Sequence, residues 1–209
     1  MHMIRQSMLA LGVVALGAVA ARSADDEKIV AKEDAIQVVL LRHTSVQKDL
    51  HLTAEEVKKI HEFADGQWKK VQDMKGLSEA EKNEKYEAMA RQNEKFLHDT
   101  LSAEQCKRLN QITMQVAGLL WVARSDVAAE LKLTDEQKQK VKEAHKEAHR
   151  EMQEALSSKG GEIAPEKVRE LRMSNRRRLM SILTDEQKGK WKEMAGEPFK
   201  GELRVRPAK

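Results

Sequence analysis

The sequence predicts an all-α protein built from two tandem helical-hairpin modules, and three observations lead to this prediction. The chain of 209 residues is 34% charged and 3% aromatic, with three Pro and ten Gly, which is typical of long solvated helices. Apolar residues recur at spacings of three and four, the pattern of an amphipathic helix. Finally, two pairs of similar segments recur at nearly the same separation along the chain.

The repeat sets the expected domain organisation. Residues 46–53 and 127–134 are similar and lie 81 residues apart, whereas 101–105 and 183–187 are similar and lie 82 apart. We therefore expect a signal peptide at 1–20, a helical lead-in at 21–45, a first module at 46–124, a second at 125–196 and a tail at 197–209. Each module should contain a long helix, a return helix and a third helix.

Helix starts are marked by capping boxes, in which Ser or Thr is followed three residues later by Glu or Gln. Each module has two at equivalent places. They are Thr53 with Glu56, Ser102 with Gln105, Thr134 with Gln137 and Thr184 with Gln187.

The N-terminus has the features of an export signal. Arg5 precedes an apolar stretch from Met8 to Ala21 that contains small residues suited to a cleavage site. The stretch is shorter than the roughly 20 residues that span a bilayer, so no stable membrane span is expected after cleavage. The single Cys106 cannot form an internal disulfide. We expect a periplasmic or secreted protein.

The Leu-Thr-x-x-Gln string at Leu133–Gln137 and Leu183–Gln187, with near matches at Leu101–Gln105 and Leu52–Glu56, resembles the motif of the Spy/CpxP family. Members are periplasmic helical proteins known as ATP-independent chaperones, envelope-stress modulators and metal-responsive sensors. The resemblance implies a chaperone or stress adaptor whose partners are unfolded envelope proteins or a stress-sensor domain. Spy-like chains carry two motifs and pair as antiparallel dimers. Four motifs in one chain imply either a monomer with an internal pseudo-dimer or a homodimer.

A client-binding surface is expected on the second return helix. Arg169, Arg172 and Arg176 share one face at helical spacing, and Met173 and Met180 could add adaptable apolar contacts. The alternative is a solvated face paired with neighbouring Glu, with the methionines in the core.

His145 and His149 are spaced i, i+4 and could both reach one zinc or copper ion, although two histidines packed at a helix interface are the alternative. No nucleophile has a recognisable base and no phosphate loop is present, so an enzyme is not expected. Mixed charges without a basic patch argue against nucleic acid. The leading hypothesis is thus a chaperone or stress adaptor, with a metal-responsive sensor and a structural envelope protein as alternatives.

Overall fold

A computed structural model describes residues 35–157 and 165–203, and within these ranges the protein is all-α, as predicted, without a strand. The expected signal peptide at 1–20 and most of the lead-in lie outside the described residues. None of the described helices is long and apolar enough to cross a membrane. The helices are α1 (35–41), α2 (Thr44–Asp49), α3 (Ala54–Gln72), α4 (Glu79–Thr100), α5 (Ala103–Trp121), α6 (Ser125–Glu130), α7 (Asp135–Ser157), α8 (Pro165–Ile182) and α9 (Asp185–Ala195).

The order of helices repeats. In both α2–α5 and α6–α9, a short helix precedes a long helix, a return helix and a closing helix. The turns after the short helices also match, since His51 and Lys132 both have φ of 51°. After His51, the N–H of Leu52 donates to the carbonyl of Gln47 at 2.9 Å, and the equivalent bond in the second module is also 2.9 Å. Both short helices therefore end in a Schellman motif, which turns the chain into the next capping box.

Two hydrophobic cores lie along the molecule, and α5 contributes to both. Leu109 and Ile112 are buried in the core of the first module, whereas Leu119 and Trp121 are buried in that of the second. Between these pairs the helix is kinked at Gly118, where φ is 6° and ψ is −74°. The closing helix of the first module thus continues into the second module's core.

A tail segment, residues 196–203, returns from α9 to the first module. Gly196 has φ of 63°, a conformation that L side chains rarely adopt, and it ends α9. Phe199 and Leu203 then pack against the first core. Arg108 donates to the carbonyl of Glu197 at 2.7 Å. The second module is therefore tied to the first through α5 and through this tail.

Candidate functional site

The exposed face of α8 carries the predicted client-binding residues. Arg169, Arg172 and Arg176 are exposed and form no ion pair with the residues that the structure describes. Met173 lies between them on the helix and is 55% exposed, which makes it the one large apolar side chain exposed in the described ranges. Residues three, four and seven positions apart share a helix face. The structure therefore brings these four side chains together in one stripe.

The lack of ion pairs in this stripe contrasts with five other arginines among the described residues. A carboxylate pairs with each of Arg42, Arg108, Arg124, Arg150 and Arg178. Arg178 lies on α8 but on a different side, where it contacts Glu151 of α7 and donates to Asn175 at 3.1 Å. The positive charge of the stripe is thus not neutralised by an ion pair, whereas the charge of those five arginines is.

Arg172 lies at the border between the stripe and the rest of the molecule. Its side chain keeps contact with solvent, yet neighbouring residues crowd its guanidinium and lower its pKa through desolvation. It is also close to His43, which precedes α2. Burial lowers the pKa of the His43 imidazole, and the charges of Arg172 and Arg42 lower it further. The stripe therefore approaches the first module at Arg172.

Met180 occupies a different environment from Met173. It is half-buried and packs against the second core, beside residues such as Leu179 and Trp191. The four predicted residues from Arg169 to Arg176 are thus exposed, while the predicted contact at Met180 is mostly a packing contact.

The predicted metal-binding pair lies on α7. His145 donates from Nε2 to the carbonyl of Leu119, one of the carbonyls at the C-terminal end of α5. His149, one turn further along, is half-buried. A metal bound through Nε2 of His145 would displace this hydrogen bond. In the part of the chain that the structure describes, no group of three or more His, Cys, Asp or Glu side chains is placed to hold a metal.

The capping boxes have a second role in joining helices. In the second module, Gln137 and Gln187 each close their own box and also bond to one another through both amides, at 2.7 and 3.0 Å. Gln137 donates further to the carbonyl of Ile182, and Gln187 to that of Leu131. This amide pair therefore links the starts of α7 and α9 to the ends of α8 and α6.

The first module has the same arrangement with one chemical difference. Glu56 replaces one glutamine, and its carboxylate accepts from the backbone N–H and hydroxyl of Thr53 at 2.7 and 2.8 Å. The Thr53 backbone bond is the main cause of the lowered pKa of Glu56, and bonds from the Thr53 hydroxyl and from Gln105 lower it further. Gln105 donates to the carbonyl of Leu50, just as Gln187 does to Leu131.

A repeated ion pair was missed from the sequence. Arg108 holds Asp49 by two bonds of 2.6 and 3.1 Å, and in the second module Lys190 pairs with Glu130 at 2.7 Å. Each pair connects a short helix to a closing helix. The sequence held a signal for this pair, because the acidic residues Asp49 and Glu130 are 81 positions apart and the basic residues Arg108 and Lys190 are 82 apart, as in the repeat.

No known protein family, characterised protein or solved structure matches the chain in comparisons of its sequence and structure. The residues and their geometry are therefore the basis for proposing a function.

Proposed function

We propose that this chain is an extracytoplasmic, ATP-independent chaperone or stress adaptor that binds unfolded proteins on the exposed face of α8. The observation that carries the proposal is the stripe in which Met173 is 55% exposed among three arginines without ion pairs. An unfolded chain presents acidic side chains and apolar side chains together. The stripe offers a complementary partner for each of them.

The two kinds of contact have different roles. Arginine charges attract acidic segments over a distance and raise the rate of encounter, an effect that salt reduces. The flexible thioether of Met173 adapts to apolar side chains of varied shape and slows their release. Such binding needs no nucleotide, and this suits the compartment that the export signal predicts.

The test compares two triple variants that change net charge equally. Arg169→Glu, Arg172→Glu and Arg176→Glu reverse the stripe. The control combines Lys85→Glu, Arg91→Glu and Lys142→Glu, which are exposed on other helix faces. Protein lacking residues 1–20 is mixed at near-equal molar ratio with a denatured substrate, and light scattering reports aggregation without nucleotide.

We expect the wild type and the control to slow aggregation, and the stripe variant to lose most of this effect at low salt. Met173→Ser should preserve early capture but shorten retention. An unchanged aggregation rate with the wild type, or equal losses in both triple variants, contradicts the proposal. Parallel samples with zinc or copper test the metal-sensor alternative through binding at His145 and His149.

A further inference from the structure

The first module holds a non-helical segment of its own chain, the tail segment. Ser45 Oγ donates to the carbonyl of Glu202 at 2.7 Å, and the side chain of Gln115 bonds to both the carbonyl of Glu197 and the N–H of Phe199. Gly201 approaches so closely that a Cβ there would lie 2.6 Å from Cβ of Ser45. The bonds go to the peptide backbone, so the site recognises an irregular segment through its main chain as well as its apolar side chains.

The second module has an equivalent groove. A groove of about 720 Å³ is lined by second-module residues whose first-module counterparts surround the tail segment. Those counterparts contact the tail, pair with Arg108 or form the core beneath the tail. The second-module residues are Asp126, Val127, Glu130, Glu193 and Met194, which correspond through the repeat to Ser45, Val46, Asp49, Gln111 and Ile112. The groove therefore occupies, in the second module, the place that the tail segment fills in the first.

The opposite wall of this groove comes from the first module. Leu101 and Met114 line it together with Trp121 and Met194, and Lys107 adds a positive charge to the lining. Apolar side chains of a peptide could be buried between these walls, as Phe199 and Leu203 are in the first module.

The two sites differ in charge. Where the first module has the neutral Ser45 and Gln111, the second has Asp126 and Glu193. Arg124 neutralises Asp126 through two hydrogen bonds. Glu193 interacts electrostatically with Lys190 but forms no ion pair with the described residues. Glu193 is thus a negative charge without a counterpart at the first site, and it favours a basic peptide side chain beside it.

We propose that this groove binds a non-helical segment of another polypeptide, with two apolar side chains four residues apart and basic residues beside them. The spacing is that of Phe199 and Leu203, and the basic residues complement Glu193. The proposal concerns a different surface from α8 and does not depend on the chaperone function, because peptide binding is measured without any aggregating substrate.

Two fluorescent octapeptides test it by anisotropy against the full chain. One has the sequence of residues 196–203, Gly-Glu-Pro-Phe-Lys-Gly-Glu-Leu, and the other has both Glu replaced by Lys. The attached tail should keep its own site, since tethering gives it a high effective concentration. We expect one basic peptide to bind per chain, about 10-fold more tightly than the native sequence at low salt. Absence of binding, or equal affinity for both peptides, overturns the proposal.

Matched variants then locate the binding. Glu193→Lys should lower the affinity for the basic peptide by about 10-fold, because the peptide loses a close charge partner. Glu94→Lys makes the same charge change on an exposed position of α4, and it should change affinity by less than about 2-fold because distant exposed charges are screened. Equal effects of the two variants would show that the peptide binds outside the groove and would refute the assignment.

Discussion

Replacing Gln187 with Ala tests whether the paired amides hold the second module together. The substitution removes the acceptor for the Thr184 N–H, which is worth about 1 kcal/mol as a cap. It also removes bonds to Leu131 and Gln137, each worth about 0.5–1.5 kcal/mol. The side chain of Gln187 is half-buried, so water replaces part of this loss. We expect the free energy of unfolding to fall by about 2–4 kcal/mol.

Urea denaturation followed by circular dichroism measures this change, with Gln139→Ala as the control. Gln139 is exposed on α7 and, among the residues that the structure describes, bonds only to Glu143 on the same helix, so its loss should cost less than about 0.5 kcal/mol. A double-mutant cycle of Gln137→Ala and Gln187→Ala should give a coupling energy of about 1 kcal/mol or more. If Gln187→Ala behaves like the control, or if the two changes are additive, the amide pair does not join these helices.

Three further experiments probe the capping box of the first module, the repeated ion pair and the tail. The folded-state pKa of Glu56 is lowered, so its carboxylate stabilises the fold above its ordinary value of 4.5, and this contribution is lost as pH falls through the folded-state pKa. The melting temperature of Glu56→Gln should therefore fall less between pH 5 and pH 3 than that of the wild type. Equal falls in melting temperature for the two proteins would contradict this. Arg108→Met breaks a pair whose side chains are only 22% and 23% exposed, and should cost about 2 kcal/mol in urea denaturation. Lys190→Met breaks the more exposed equivalent and should cost less than about 1 kcal/mol, whereas the reverse order would be inconsistent with the geometry. At Gly201 there is no room for a methyl group, so Gly201→Ala should speed tryptic cleavage within the tail. Gly189→Ala is the control, because Gly189 has open space around it. Equal cleavage rates in the two variants would show that the tail is not held as described.

The starts of the helices could be predicted from the sequence because caps are local. Thr53 and Ser102, for example, each bond to the third residue after them, and a pattern four residues long contains this information. The grouping of Arg169 and Arg176 with Met173 on one face follows equally from helical spacing. For Met180 the sequence left two alternatives, an exposed contact or packing in the core, because the choice depends on where the second core lies.

Contacts between distant parts of the chain were beyond the reach of local patterns. The bonds between Gln137 and Gln187 join residues 50 positions apart, and the bond from Arg108 to Glu197 joins residues 89 apart. The capping pattern predicts that the side-chain carbonyl of the glutamine accepts a hydrogen bond at the start of its own helix. It does not predict which carbonyl its NH₂ group reaches, because that depends on how the helices pack.

The kink at Gly118 has a consequence for how large such a protein could become. There the closing helix of one module passes the chain directly to the next, an arrangement that could be repeated to build a longer array. Helix α9 instead stops at Gly196, and the chain turns back toward the first module. Arrays of repeats need a terminal unit that prevents further stacking. Residues 196–203 instead pack against the first module, so α9 does not pass the chain into a neighbouring core in the way that α5 does.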